Sequence, residues 1–118
     1  MVSRLDASLN ALHNHLQRLQ TSAANIANLN TDGYQSRRLT INEGPAGTTT
    51  TTLSADTSPG PVRLEPNRDG TVVETQMANV DLAGEYVKIM TSTQAVKANL
   101  KAAATVSELL GEVIDTLA

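Results

Sequence analysis

Residues 2–26 read VSRLDASLNALHNHLQRLQTSAANI, and they decide the fold of this chain. The apolar positions alternate three and four apart: Val2, Leu5, Leu9, Leu12, Leu16, Leu19, Ala23 and Ile26. On a helix this spacing draws one narrow apolar stripe, as in a coiled coil. The positions between them are mostly polar. We therefore predict a helix from about Ser3 to about Leu29, roughly 40 Å long.

The other end of the chain carries a second, longer stripe. Its members are Leu82, Tyr86, Ile89, Thr93, Val96, Leu100, Ala103, Ser107, Leu110, Ile114 and Leu117. Five further apolar residues widen it on one flank: Val87, Met90, Val106, Leu109 and Val113. We predict a second helix that begins around 79–81, with Asn79 or Asp81 as its cap, and runs almost to residue 118.

The middle of the chain differs from both ends in composition and in hydrophobic pattern. Residues 38–41 predict a short strand, and residues 62–65 with 71–74 predict a β-hairpin turned by Asp69-Gly70. Residues 44–61 are rich in Gly, Pro and Thr and predict a mobile loop, although the threonines at 48–52 favour an edge strand if a neighbour supplies hydrogen bonds.

The fold class that follows is mainly α. We expect two long terminal helices forming an antiparallel coiled-coil hairpin, with a small β/loop segment between them. The expected units are residues 1–34, a helix and turn; residues 35–77, a short β-hairpin and flexible loop; and residues 78–118, the second helix.

Composition excludes several classes of function. The 118 residues contain no Cys, Phe or Trp, so disulfide frameworks, thiolate metal sites and ring-lined pockets are not expected. His13 and His15 do not share a helix face, and we expect no metal or cofactor. The net charge of −3 with dispersed Lys and Arg argues against nucleic-acid binding. No nucleophile–base pair or phosphate-binding loop is evident, so we expect no enzyme.

The amount of apolar surface favours assembly. One antiparallel partner covers one stripe per helix, which leaves the flank of the second helix for another contact. The alternative is a monomeric hairpin whose flank folds over the β segment. Glu108, Glu112 and Asp115 lie along one side of the last helix, and there too two interpretations stand: a solvated face, or pairing with basic groups on another subunit.

Two motifs resemble a known family. Residues 23–34, AANIANLNTDGY, resemble the N-terminal signature of bacterial flagellar rod and hook proteins. Residues 78–90, ANVDLAGEYVKIM, and 94–99, QAVKAN, are similar to its C-terminal motifs. The chain departs from the family at Gly84, Gln94 and Val96, where Glu, Arg and Tyr are usual.

The resemblance implies a structural subunit of the flagellar basal-body rod, of the short proximal type. Such subunits polymerise through their terminal helices into a torque-transmitting tube in the periplasm. The implied partners are other copies, other rod subunits and the type III export apparatus, without a cleaved signal peptide and without membrane insertion. A rival from another class is a small helical-hairpin adaptor that binds a partner helix.

The predicted assembly interface draws on both helices and on the turn after the first. Asn25 and Asn28 are expected to hydrogen-bond to neighbouring subunits or to the turn at Gly33, or to be ordinary helix-end polarity. Gly33 and Tyr34 are expected to form an elbow between helix and strand, or else a plain turn with a partly buried ring. The full set is Leu5, Leu9, Leu12, Leu16, Leu19, Ile26, Asn25, Asn28, Gly33, Tyr34, Asn79, Val80, Asp81, Leu82, Tyr86, Ile89, Val96, Asn99, Leu100, Leu110 and Leu117.

Overall fold

The computed structural model describes residues 2–45 and 49–118, with side chains from residue 5 onward. The side chain of Val2 in the first stripe, and residues 46–48 with the first threonine of the run, lie outside that description. In chain order the elements are α1 (Val2–Ala27), β1 (Arg37–Glu43), β2 (Thr49–Ala55), β3 (Val62–Pro66), β4 (Val72–Gln76) and α2 (Leu82–Leu117).

Both long helices lie where the periodicity predicts them. α1 has 26 residues and α2 has 36. α1 gives way to a run of turns that ends at Gly33, whose φ of 69° is in the left-handed region that glycine adopts readily. Asp81 is the N-cap residue of α2 but makes no capping hydrogen bond with its side chain.

The strands form two separate antiparallel hairpins. β1 pairs with β2 in the register Arg37 to Ala55 through Glu43 to Thr49. β3 pairs with β4 from Val62 opposite Gln76 to Pro66 opposite Val72, which confirms the predicted hairpin. Its turn includes Gly70 at φ 78°, as the Asp-Gly signal indicates.

The prediction of a mobile loop over residues 44–61 is wrong for residues 49–55, which form β2. The threonines pair with β1, and the Nδ2 of Asn14 on α1 donates to Thr49 Oγ1 at 2.8 Å. β-branched threonine favours extended backbone once a neighbouring strand supplies the hydrogen bonds. That neighbour lies elsewhere in the sequence, so composition alone does not reveal it.

The fold class predicted from the sequence is therefore wrong. A mainly α coiled-coil hairpin with a small β/loop segment does not describe a chain with two antiparallel β-hairpins and an extended shape of 83 × 25 × 17 Å. The heptad spacing identified the helices but not what lies between them. It also overestimated how far one helix covers the stripe of the other.

The packing between α1 and α2 is narrow, and its most deeply buried side chains are polar. The end of α1 and the start of α2 meet, since the Asn79 N–H donates to the Tyr34 carbonyl, and the helices pack along each other from there in opposite directions. The fully buried side chains of the described chain are Asn25, Ser22 and Ser92, and Ala78 is its buried hydrophobic residue. The interior is therefore small, and large apolar side chains remain on the surface.

Candidate assembly site

The ends of the two helices and the two hairpins meet in a hydrogen-bonded region that we call the junction: residues 25–37, 56–61 and 76–79. Its backbone bonds join distant parts of the chain. The Gly33 N–H donates to the Gln76 carbonyl and the Met77 N–H to the Pro61 carbonyl, each at 2.8 Å. The Asp56 N–H donates to the Ser36 carbonyl, also at 2.8 Å. The junction thus fixes the hairpins relative to the helices.

Asn25 is the centre of the junction. Its side chain is fully buried, at 0% exposure. Nδ2 donates to the Arg37 carbonyl at 2.8 Å, while Oδ1 accepts from the Arg37 N–H at 2.8 Å and from the Tyr34 hydroxyl at 3.1 Å. The amide therefore acts like a neighbouring strand toward Arg37 and sets where β1 begins.

Asn79, in the segment before α2, also bonds through its side chain to the backbone beside the β1–β2 hairpin. Its Oδ1 accepts from the Ser36 N–H at 2.6 Å, and its Nδ2 donates to the carbonyls of Asp56 and Ser58 at 2.8 and 2.7 Å. One side chain thereby joins the segment before α2 to both ends of the β1–β2 hairpin. The predicted alternative, that Asn79 caps α2, is not what its side chain does.

Close backbone packing at Gly60 completes the junction. A Cβ at this position would lie 2.9 Å from the Ala78 carbonyl carbon and closer still to the Met77 carbonyl oxygen. Only glycine allows the two segments to approach so closely.

Other predicted residues lie at the edges of the junction. Asn28 is half-buried and donates to the Ala24 carbonyl at 2.8 Å, within its own helix end. Tyr34 and Val80 are half-buried, and Asp81 is exposed. Gly33 is exposed, and nothing lies within 4 Å of where its Cβ would be. The structure therefore brings Asn25, Gly33, Tyr34 and Asn79 together in one region.

The seam between the helices contains charged and hydroxyl groups. Glu85 is 3% exposed and forms an ion pair with Lys88 at 2.8 Å through Oε1. Its Oε2 and the Oγ of Ser92 have no hydrogen-bond partner within the described residues. A buried carboxylate of this kind has no role in a simple leucine seam, and the sequence alone gave no signal of it.

The predicted interface leucines separate into two rows. The row that faces the seam is half-buried: Leu5, Leu12, Leu19, Ile26, Ile89, Val96, Asn99 and Leu110. The row that faces outward is exposed, and we call it the outward face: Leu9 (50%), Leu16 (42%), Leu82 (38%), Tyr86 (55%), Leu100 (51%) and Leu117 (83%). About half of each heptad stripe is therefore only partly covered within the described chain.

The flank of α2 adds to this exposed apolar surface. Val87 and Met90 are 60% and 67% exposed, and Leu109 and Val113 are close to half exposed. α2 has ten more residues than α1, so its last turns extend beyond the partner helix. An apolar groove lined by Leu109, Val113 and Leu117 lies on these turns.

Two titratable groups, His15 and Asp56, have a lowered pKa. Burial, reinforced by the nearby charge of Arg18, lowers the pKa of His15, whose Nδ1 has no hydrogen-bond partner among the described residues. The Ser58 hydroxyl and N–H both donate to the carboxylate of Asp56 and lower its pKa. Within residues 2–45 and 49–118, no helix is long and apolar enough to cross a membrane.

Comparison with known families identifies the first part of this architecture. Residues 5–35, which are α1 from its second turn together with the first half of the junction, match the family described as flagella basal body rod protein. This part of the chain is similar to flagellar basal body rod proteins. The match covers just over a quarter of the chain and confirms the resemblance seen in residues 23–34. No curated protein matches the chain.

The match carries a general functional statement about the family. Proteins of the flagellar rod family are structural rather than enzymatic, and they assemble with other rod subunits in the basal body. The matched segment contains Asn25, Gly33 and Tyr34, three of the residues that build the junction. The fourth, Asn79, lies outside the matched segment, and only the structure shows that it completes the same network.

Proposed function

We propose that this chain is a rod subunit that polymerises through its terminal helices into a torque-transmitting tube. The observation that carries the proposal is the outward face, a row of exposed leucines on a chain of a structural family. Exposed apolar surface on both helices is costly to leave in water and is typical of an interface.

The proposal divides the predicted interface residues by role. The outward face would be covered by adjacent subunits. The half-buried row and the junction would hold each subunit in one shape, so that the same contact repeats along the assembly. Contacts between different surfaces of identical subunits are head-to-tail, and they give an open helical polymer when the rotation does not close.

The type of rod subunit, its route of export and its part in torque transmission belong to the same proposal. Only 54 residues separate the two long helices, which supports a small proximal-rod type of subunit. Export through the flagellar type III apparatus to the periplasmic rod follows from the family resemblance. The hydrogen bonds of the junction link the helices stiffly to the hairpins, as torque transmission requires.

A single substitution on the outward face tests the proposal. Leu100 is half exposed, so Leu100→Asp should leave the isolated subunit folded, with a change in unfolding free energy of about 1 kcal/mol or less. Ala102→Asp is the matched control, because residues two apart on a helix face different directions. Both variants are expressed in a strain of the source bacterium that lacks its own copy of the chain.

We expect Leu100→Asp to abolish swimming in soft agar and to be absent from isolated basal bodies, while Ala102→Asp retains both. Normal motility of the Leu100→Asp strain would reject the outward face as an assembly surface. If the unaltered chain were absent from basal bodies and bound one partner at fixed stoichiometry, the adaptor function would replace the proposal.

A further inference from the structure

The last turns of α2 carry an unbalanced negative charge. Residues 102–118 include Glu108, Glu112 and Asp115 but no Lys or Arg. All three are exposed, and they follow one another at four and three positions, so they share one side of the helix. The C-terminal end of a helix already has a partial negative charge, and carboxylates near it are unfavourable unless a cation approaches.

A cavity of the opposite charge lies near the other end of the molecule. Arg18, Arg37, Arg38 and Lys88 line a space of about 310 Å³ between α1, β1 and the first turns of α2. Lys88 pairs with Glu85, the one acidic residue of the lining. None of the three arginines has a carboxylate oxygen within 4.0 Å among the described residues.

The two surfaces cannot meet within one chain. Lys88 and Glu112 are 24 residues apart on one continuous helix, which separates them by roughly 36 Å at 1.5 Å per residue. The acidic end of α2 therefore cannot reach the arginine-lined cavity of its own chain, although it is free to reach that of another copy. Arginine recognises carboxylates with paired, charge-assisted hydrogen bonds, so an acidic partner fits best.

We infer that the acidic end of α2 in one copy docks into the arginine-lined cavity of the next copy. This inference rests on the proposed function and names the contact that makes the assembly head-to-tail. The carboxylates of Glu108, Glu112 and Asp115 face the guanidinium groups, and the neighbouring Leu109 and Val113 cover apolar surface beside the cavity. Leu39, which also lines the cavity, supplies such surface.

The charges balance in this arrangement. Three carboxylates of one copy meet three arginines of the next that form no ion pair with the described residues of their own chain. Glu85 opposes an incoming carboxylate, but Lys88 offsets its charge at 2.8 Å. The contact joins two different surfaces, so each subunit keeps one free acidic end and one free cavity, as an open polymer needs.

Cross-linking tests the contact directly, because the chain has no cysteine of its own. Arg38→Cys and Glu112→Cys are combined in one chain, and isolated basal bodies are treated with a short bis-maleimide. A linker is used because an Arg–Glu pair holds its Cα atoms further apart than a disulfide spans. The control pair is Glu74→Cys with Glu112→Cys, since Glu74 lies on β4, which contributes no residue to the cavity lining.

We expect the Arg38/Glu112 pair to give a ladder of dimers, trimers and longer oligomers, and the control pair to give none. Equal ladders from both pairs, or no ladder from a chain that is present in basal bodies, would overturn the inference and leave the proposed function intact. Absence of every variant and of the unaltered chain from basal bodies would instead reject the proposed function. Cross-linking by Glu112→Cys alone would show a symmetric contact and would also overturn the inference.

A charge exchange provides a second test. Arg38→Glu and Glu112→Arg should each lower incorporation into basal bodies about fivefold, which corresponds to a partly exposed ion pair of about 1 kcal/mol. The two changes together should restore it. If Arg38→Glu fails to fold by circular dichroism, Arg18→Glu takes its place. A double variant no better than the single variants would contradict the pairing.

Discussion

The junction and the outward face are opposites in chemistry and in completeness. The junction is polar, and its buried Asn25 and the half-buried Asn79 each have their hydrogen bonds satisfied within one chain. The outward face is apolar, and its leucines are about half exposed. The comparison teaches that the junction completes its polar contacts within one chain, whereas the outward face leaves its apolar contacts open.

This division has a physical logic. Hydrogen bonds need exact partners at fixed positions, and an unsatisfied buried group costs about 1–3 kcal/mol, so a polar network suits contacts that must never change. Burial of apolar surface is not directional and scales with the area removed from water. Apolar surface is therefore suited to contacts that many copies share along an assembly.

The largest expected effect comes from removing the centre of the junction. Asn25→Ala leaves the Arg37 N–H and carbonyl and the Tyr34 hydroxyl without their partner in a buried site, and we expect a loss of about 3 kcal/mol or more. Leu9→Ala on the outward face should cost about 1 kcal/mol or less, because that leucine is half exposed. Urea unfolding followed by circular dichroism measures both, and a larger loss for Leu9→Ala would reverse the comparison.

Two glycine substitutions sharpen the comparison between the junction and the rest of the chain, because they should change the free energy of unfolding in opposite directions. Gly60→Ala in the junction forces a Cβ against the backbone of Met77 and Ala78 and should destabilise the chain by about 1–3 kcal/mol. Gly111→Ala on the extension of α2 meets nothing within 4 Å and should stabilise the helix by about 1 kcal/mol. The same unfolding measurement applies. Equal effects of the same sign would show that the two regions are packed alike.

The smallest expected effect is a dependence on pH at His15. Burial lowers its pKa in the folded chain, so the unfolded chain binds the proton more readily. Stability should be greatest above about pH 6.5 and should fall as the pH drops from there through the folded pKa. His15→Gln should flatten this part of the profile. An unchanged profile in His15→Gln would assign the dependence to other groups.

The sequence was most informative where a pattern is local. Heptad spacing placed both helices within a few residues of their ends, and Asp69-Gly70 placed the β3–β4 hairpin. The turn at Gly33 followed from the conformational freedom of glycine. These features depend on neighbours only a few positions away along the chain.

The features that the sequence left open or did not predict depend on distant partners. The sequence allows either a loop or an edge strand at the threonines, and β2 forms because β1 lies beside it. Asn79 reaches Ser36 across 43 positions, which no local pattern indicates. The stripe predicted that both helices are amphipathic, but not that the seam between them buries Ser22, Glu85 and Ser92 while half of the leucines face outward. Periodicity identifies an apolar face without telling which partner covers it.

The central claim is that other copies cover the outward face, and solvent accessibility of Leu100 tests it most directly. Leu100→Cys introduces one thiol into a chain that has no other, and a maleimide dye then reports whether the position is reachable. We predict rapid labelling of the isolated subunit and at least tenfold slower labelling in intact basal bodies. Equal labelling rates in the two states would contradict the claim.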